Sequence, residues 1–353
     1  MTVTQITPAY PPAVSGVGDY SAVLEQGLSA SGVTVETLIP PNSGQPFGVV
    51  RQLEAKTSTA LSTALSDTQT VFLHFSGYGY ARWGLCLWLI EGLTQWKTAA
   101  PGRRLVTLFH EVYATGPIWR ASFWSEQPQR HIARSLARLS DVRFVSSQGG
   151  MQQLTDLCHE LNFLLLPIFS TVGELETILP LSERRPAAVV FGGRPQRTSV
   201  YENPLVHARV TPLFNALHIT EVLDIGPEAE VPEQLAGRPI RKLGKIPAQE
   251  VSDRLGSARI GLIAYPPHVL EKSSIAAACF AHGLLLVNTD SSSAPPSGLE
   301  PGRQYSSLEA FSHSPELLQA IAYAGHGWYQ PHRAGDAFKR IAAACQEPLG
   351  TVL

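Results

Sequence analysis

The sequence predicts an α/β protein with two Rossmann-like, doubly wound parallel-sheet domains. Three observations predict this fold class. The chain has 353 residues, which is more than one ordinary hydrophobic core accommodates. Short β-rich runs alternate with helical stretches in both halves, as in parallel sheets covered by helices. This regularity stops between residues 168 and 186, so the predicted domains span residues 1-168 and 187-320, followed by a C-terminal helical segment, residues 321-353.

Composition argues against several classes of protein. The chain is 44% hydrophobic and 16% charged, with a net charge of -2 and no long basic run, so we expect no nucleic-acid partner and at most peripheral membrane contact. No apolar run approaches the ~20 residues that span a bilayer. The first residues do not have the pattern of a signal peptide, and the four cysteines are far apart. We therefore expect a cytoplasmic protein with reduced thiols and no metal site.

The chain begins with a strand, a glycine loop, a helix and a second strand. Val3–Ile6 is the first strand and Val33–Ile39 the second, and Asp19 is the predicted N-cap of the helix between them. Gly16 and Gly18 lie where the strand turns into the helix. Such a loop suits an oxygen-rich or anionic ligand, with a tight turn as the alternative. It matches neither the dinucleotide fingerprint nor the P-loop.

Two histidines follow later strands of the first domain. The remaining strands are predicted at Thr70–His74, Leu105–Phe109, Val142–Ser146 and Phe163–Leu166. His74 and His110 therefore lie at strand ends, where ligands bind in parallel sheets. An imidazole there can hydrogen-bond a sugar hydroxyl or transfer a proton, and the alternative is a histidine bonded to a neighbouring loop. Loop aromatics that could stack on a sugar or a lipid are Tyr78, Tyr80 and Trp119.

The second domain has cationic side chains at equivalent places. Its strands are predicted at Ala188–Phe191, Glu221–Ile225, Ile240–Leu243, Ile260–Ala264 and Leu284–Asn288. Arg194 and Arg197 follow the first of these strands and suit a diphosphate, with a salt-bridged surface loop as the alternative. Ser273 or Ser274 can cap the next helix, Ile275–His282, while Lys272 faces a phosphate.

In this order the motifs resemble the GT-B glycosyltransferases, specifically the retaining family 4. The resemblance covers nearly the whole chain. Its carriers are Gly16-Val-Gly-Asp-Tyr20, His110-Glu-Val-Tyr-Ala114, Val190-Phe-Gly-Gly-Arg194, Asp224-Ile-Gly226, Leu243-Gly-Lys-Ile-Pro247 and Lys272-Ser-Ser…Ala281-His-Gly283.

The resemblance implies a transferase whose two domains face a cleft. The amino domain would hold the acceptor, a glycan, lipid-linked sugar or small molecule, and the carboxyl domain a nucleotide-diphosphate sugar, without metal or cofactor. The last helix would pack back on the first domain. The implied catalytic residues are His110, Asp19 and Glu271. Taken together, the resemblance and the positions described above predict as substrate-binding residues Gly16, Gly18, His74, Tyr78, Glu111, Arg194, Arg197, Gly244, Lys272, Ser273 and Ser274.

The chain departs from the family at one glutamate pair. The two positions are occupied by Leu270 and Ala278, although Glu271 can replace the first glutamate with a shift of one residue. Ser199 stands where a lysine is expected. Three alternatives stay open: inversion with Asp19 as base, a catalytically silent GT-B-like binding or regulatory subunit, and a nucleotide-sugar epimerase. The epimerase is disfavoured because no convincing pair of acid/base carboxylates is found.

Overall fold

A computed structural model describes residues 1–41, 43, 50–115, 121–290, 292, 298–308 and 314–346, with side chains omitted at 121–123. The chain divides into two compact units. Unit 1 consists of Met1–Pro167 with Ala334–Leu353, and unit 2 consists of Ile168–Arg333.

Unit 1 is built on a parallel sheet in the order β3-β2-β1-β4-β5-β6-β7. Its strands are β1 (Thr2–Ile6), β2 (Thr34–Ile39), β3 (Arg51–Gln52), β4 (Thr70–Phe75), β5 (Arg104–Phe109), β6 (Val142–Val145) and β7 (Leu164–Leu165). Its first helices are α1 (Gly16–Ala30), α2 (Ser58–Ala64), α3 (Gly77–Tyr80), α4 (Leu87–Ala99), α5 (Ala121–Leu139) and α6 (Gln148–Leu157). Every residue of β4 and β5 is buried, as expected for central strands covered by helices on both faces.

Unit 2 repeats this architecture in the order β10-β11-β9-β8-β12-β13-β14, parallel except for the β10–β11 pair. Its strands are β8 (Arg185–Phe191), β9 (Glu221–Ile225), β10 (Gln234–Leu235), β11 (Arg238–Gly244), β12 (Ala258–Ile263), β13 (Leu285–Asn288) and β14 (Ser306–Ser307). Its helices are α7 (Arg194–Glu202), α8 (Pro204–Ala216), α9 (Ala248–Ser257), α10 (Ser274–Ala281) and α11 (Pro315–Tyr329). Apart from the gaps in the described chain, no helix is long and apolar enough to cross a membrane.

The last described helix, α12 (Ala334–Gln346), belongs to unit 1. It packs on α1, β4 and β5, and the guanidinium Nε of Arg104 donates a hydrogen bond of 2.6 Å to the carbonyl of Ala344. Helix α11 instead packs on α10 and β13 of unit 2. The returning segment therefore begins at Ala334 and not at residue 321, because the 3₁₀ turn Gln330–His332, which contains a proline, separates the two helices.

Serine side chains cap helix α1 of unit 1 and helix α10 of unit 2. The hydroxyl of Ser15 accepts a hydrogen bond from the Gly18 amide, so α1 begins at Gly16. The predicted N-cap at Asp19 was therefore wrong: Asp19 is already helical, on the first turn. Ser273 caps α10, as predicted, by accepting from the amide of Ala276.

Candidate functional sites in the two units

Each sheet has one topological switch point, where the strand order reverses. In unit 1 it lies between β1 and β4, and in unit 2 between β8 and β12. Ligands of doubly wound sheets bind beyond the carboxyl ends of the strands at such points, because loops and helix amino termini converge there. Most of the predicted site residues lie on the loops that follow these four strands or on the first turns of the helices after them, so each unit has its own candidate site.

The glycine loop of unit 1 contains one buried glycine that packing requires and two exposed residues at the start of α1. Gly18 is buried, and a Cβ atom there would lie 3.1 Å from the carbonyl oxygen of Ala9. Gly18 therefore allows the loop after β1 to pack against α1. Gly16 and Asp19 are exposed on the first turn of the helix. The Asp19 carboxylate is thus placed where the helix dipole favours negative charge.

His74 and His110 are brought together as a buried pair. Nδ1 of His74 and Nε2 of His110 are 3.1 Å apart, and their rings are stacked 15° from parallel. Burial lowers the pKa of His110 to about 3, and burial with the adjacent His110 lowers the pKa of His74 well below its usual 6.5. Both rings are therefore neutral. His74 has no exposed surface, whereas His110 is 8% exposed, so His74 supports His110 and does not itself reach a substrate.

Hydrogen bonds connect the segments that carry Glu111 and Tyr78 to neighbouring residues of unit 1. The hydroxyl of Ser76 donates to the exposed Glu111 carboxylate at 2.7 Å. Nε2 of Gln129 donates to the hydroxyl of Tyr78 and to the carbonyl of Trp83, while its Oε1 accepts from the amide of Ala114. Tyr78 remains 49% exposed, so its ring face is available for stacking.

Not every loop aromatic is available. Tyr80, a predicted stacking residue, is fully buried, and its hydroxyl donates to the carbonyl of His74 at 2.8 Å and lies 3.3 Å from the carbonyl oxygen of Ile6. Its predicted ligand-binding role was wrong, because the ring is part of the core. Trp119 lies outside the described residues.

The switch point of unit 2 presents two cations beside two helix amino termini. Arg194 is the exposed first residue of α7, and Lys272 is half-buried directly before the cap of α10. Across the described parts of the chain, neither side chain forms an ion pair or hydrogen bond with another residue. Ser274 is the half-buried first residue of α10. This combination of uncompensated positive charge and helix termini suits a phosphate group.

Arg197 does not face this site. Its side chain is 1% exposed and forms an ion pair with Asp224, and its Nε donates to the carbonyl of Gly192 at 3.0 Å. A further nitrogen donates to the carbonyl of Pro227, and the hydroxyl of Tyr201 donates to the other oxygen of Asp224 at 2.7 Å. The prediction that Arg197 contacts the diphosphate is corrected accordingly, because its guanidinium holds together the turns after β8 and β9.

Glu271 follows β12 and Gly244 ends β11, two strands of the unit 2 sheet. Glu271 is buried against Gly298, where a Cβ atom would lie 2.5 Å from the carboxylate oxygen Oε2. Gly244 is exposed with a φ of +69°, and its carbonyl accepts a hydrogen bond of 2.9 Å from the amide of Gly226. Ala278, at the position of the second family glutamate, is completely buried in α10.

Sequence reasoning missed several residues that support these sites. Gln5 and Gln129 each make three or more side-chain hydrogen bonds. Asp224 was named as part of a motif, but its ion pair with Arg197 was not predicted. The sequence offered only a weak signal for Gln5, which is a polar residue within the short predicted strand Val3–Ile6.

Comparisons with known proteins identify the fold. No protein-family model and no curated protein sequence matches the chain. Among solved structures, alpha-glucosyltransferase (AGT) in complex with UDP is similar over 98% of this chain and 100% of its own, with a TM-score of 0.60 and 12% identity. WaaG, a glycosyltransferase involved in lipopolysaccharide biosynthesis, is similar over 98% and 99%, with a TM-score of 0.57 and 12% identity. A putative UDP-N-acetylglucosamine 2-epimerase from Listeria monocytogenes is similar over 100% and 99%, with a TM-score of 0.58 and 13% identity.

These likenesses concern the fold. The predicted α/β architecture with two parallel-sheet domains is confirmed, and it is the architecture of GT-B glycosyltransferases.

Proposed function

We propose that this protein is a glycosyltransferase that transfers a sugar from a nucleotide-diphosphate sugar to a hydroxyl acceptor. The observation that carries the proposal is the unit 2 switch point, where Arg194 and Lys272 stand beside the amino termini of α7 and α10 without a carboxylate partner among the described residues. A pyrophosphate needs this combination of compact positive charge and backbone donors. The names of the fold neighbours, which include complexes with UDP and UDP-glucose, support the same donor class.

The proposed chemistry assigns different roles to the two units. In unit 2, Arg194, Lys272 and the backbone amide of Ser274 neutralise the charge that develops on the leaving diphosphate, without requiring a metal ion. Glu271 and Gly244 border the donor. In unit 1, His110 contacts a sugar hydroxyl. An acceptor lies near Asp19, Glu111 and Tyr78, whose exposed ring suits a glycan, a lipid-linked sugar or another small acceptor.

Charge-removing variants of unit 2 test the donor site. Arg194→Gln and Lys272→Gln are each expected to weaken UDP binding about tenfold or more, because each removes a charge-assisted contact to phosphate. Titration calorimetry with UDP measures the effect. Arg209→Gln, at an exposed arginine within α8, is the matched control and should bind UDP as the parent protein does. If Arg194→Gln and Lys272→Gln bound UDP as tightly as Arg209→Gln and the parent protein, the proposal would lose its main support.

Retention of the anomeric configuration is part of the proposal and has a separate test. The anomeric centre of the product is read by proton NMR after incubation with acceptor and a panel of UDP-, GDP- and ADP-sugars. A product of the donor's own configuration supports retention. The opposite configuration would instead favour Asp19 as the base of an inverting reaction.

A catalytically silent binding module is the second candidate. It is favoured by Ala278, because the position of the second family glutamate is a buried alanine that cannot reach a ribose. The same panel separates the candidates. Transfer or slow hydrolysis of a bound donor supports the enzyme, whereas tight binding without turnover supports the module. Conversion of a donor into its epimer, visible in the same spectra, would exclude both.

A further inference from the structure

The buried histidine pair is one end of a hydrogen-bonded chain that crosses four strands of unit 1. Nε2 of His74 lies 2.9 Å from Oε1 of Gln5 in β1, and Nε2 of Gln5 donates to Oγ1 of Thr37 in β2 at 2.9 Å. The hydroxyl of Thr37 donates to the Glu25 carboxylate of α1 at 2.6 Å. His110 directly follows β5, so the chain reaches from that strand's end to the first helix.

The far end of this chain fixes the orientation of the Gln5 amide. Nε2 of Gln5 faces the carbonyl oxygen of Ser21, which only accepts hydrogen bonds, and Oγ1 of Thr37, whose own proton is given to Glu25. Both neighbours therefore require a donor from Gln5. The amide oxygen of Gln5 must then face His74, and it accepts the proton on Nε2 of that ring.

The proton positions of both histidines follow from this orientation. A neutral His74 that is protonated at Nε2 has a lone pair on Nδ1, so Nε2 of His110 must donate to it. His110, also neutral, is then left with a lone pair on Nδ1. That Nδ1 atom has no hydrogen-bonding partner within the described residues. It is also not completely enclosed by the protein, so a ligand can reach it.

We propose that Gln5 and His74 are positioning residues that hold His110 as its Nε2–H tautomer, so that Nδ1 accepts a hydrogen bond from a hydroxyl group of the sugar substrate. This inference rests on the proposed glycosyl transfer for the identity of the ligand. The chemistry selects a ligand O–H donor and disfavours a carbonyl, a phosphate or a fluorine at the same place, because each of these would present lone pairs to a lone pair.

The tautomers are measured directly by long-range ¹H–¹⁵N NMR on the full chain labelled with ¹⁵N-histidine. His110 is assigned from the signal lost in His110→Asn. His282 is an internal control of the opposite kind, because its Nδ1 faces the carbonyl of Ala278 at 2.8 Å and its Nε2 faces the hydroxyl of Ser252 at 2.6 Å. We expect Nε2–H for His74 and His110 and Nδ1–H for His282 in the same spectrum. An Nδ1–H tautomer, or a mixture, at His110 would overturn the inference.

Variants of His74 separate positioning from simple support of the fold. In His74→Asn the amide oxygen can replace Nδ1 as the acceptor, so His110 is expected to keep its tautomer and most of the activity. His74→Leu removes the acceptor, so His110 should populate both tautomers and kcat/KM should fall about tenfold. Unchanged tautomers in His74→Leu would contradict the inference. Should His74→Leu fail to fold, the parent spectrum and His74→Asn still decide the question.

The identity of the ligand is tested with UDP-glucose, UDP-galactose and UDP-N-acetylglucosamine. Calorimetry first shows which of these nucleotide sugars bind, and the NMR experiment uses those. Binding is expected to move the Nδ1 signal of His110 in the direction of an accepted hydrogen bond. A bound sugar that leaves this signal unchanged would overturn the assignment of a hydroxyl. The tautomer spectrum needs no ligand, so a protein without donor binding would refute the proposed function while leaving the proton positions measured.

Discussion

The ion pair between Arg197 and Asp224 is the most completely buried charge pair among the described residues. Their side chains are 1% and 4% exposed, and Tyr201 and two backbone carbonyls complete the hydrogen bonding. Buried charges are tolerated only when they are paired in this way, since desolvation costs each ion several kcal/mol. The pair therefore fixes the turns of unit 2 that precede Arg194 and follow β9.

Removal of one partner tests this role. Arg197→Met is expected to lower the free energy of unfolding by about 3–5 kcal/mol, because Asp224 would remain charged and buried. The double variant Arg197→Met/Asp224→Leu should recover part of that loss. Urea unfolding followed by circular dichroism measures both. A single variant as stable as the parent protein would show that the pair does not support the fold.

The depressed pKa values of the buried histidines predict lower stability in mild acid. His110 titrates near 3 in the folded protein and His74 also far below 6.5, whereas both titrate near 6.5 when unfolded. Below about pH 6.5 the unfolded chain therefore binds protons that the folded chain does not. Each histidine then lowers the free energy of unfolding by about 1.4 kcal/mol per pH unit. This loss of stability is absent well above pH 6.5 and grows as the pH falls toward the folded-state pKa values.

His110→Asn tests this pH dependence. The urea midpoints of parent and variant, compared at about pH 7.5 and about pH 5.5, should show a smaller acid loss in the variant, because one proton-binding group is gone. His282 and His332, whose pKa values burial also lowers, keep part of the dependence in both proteins. Identical losses in parent and variant would contradict the assignment to His110.

The turn after β9 depends on close backbone contact at Gly226. Its φ is +154°, and a Cβ atom there would lie 2.2 Å from the carbonyl oxygen of Gly192. Gly226→Ala is expected to lower the free energy of unfolding by about 2–4 kcal/mol. Gly327→Ala, where a Cβ in α11 meets nothing within 4 Å, should instead raise it by up to about 1 kcal/mol. Melting temperatures that move in the same direction for both variants would refute this explanation.

The long strands could be predicted from the sequence, whereas three of the four two-residue strands in the described residues could not. The fourth, β7, was found because it lies within the apolar run Phe163–Leu166. Apolar runs located β9 at its observed bounds and β5 to within one residue. The two-residue strands β3, β10 and β14 were missed because a pair of residues has no period to detect.

The direction of individual side chains was the other feature that could not be predicted from the sequence. Arg194 and Arg197 are three residues apart on α7, a spacing that puts both on one face of the helix and made both plausible phosphate ligands. Only the tertiary contacts distinguish them, because Arg197 is buried by its ion pair with Asp224 whereas Arg194 stays exposed. The hydrogen-bonded chain behind His110 likewise depends on strand order, which brings Gln5 beside His74 although 69 residues separate them.

At the scale of the whole molecule, α12 completes unit 1 after the chain has traversed unit 2. Close packing at Gly27 makes this possible, since a Cβ atom there would lie 2.1 Å from Cε2 of Phe338. Gly27→Val is therefore expected to reduce hydrogen-exchange protection of α1 and α12 roughly tenfold or more, while protection within residues 168–333 stays unchanged. Gly335→Ala, where a Cβ meets no atom within 4 Å, is the control. Equal losses in both units would mean that α12 stabilises more than unit 1.

The passage of the chain out of unit 1 at Pro167 and back at Ala334 has a consequence during synthesis. A ribosome releases the whole of unit 2 before it delivers α12, so unit 2 can fold on the nascent chain while the first sheet still exposes the apolar surface that α12 will cover. Unit 1, most of which is synthesised first, is thus the unit that is completed last. We expect a chaperone that recognises uncovered apolar surface to bind unit 1 during that interval.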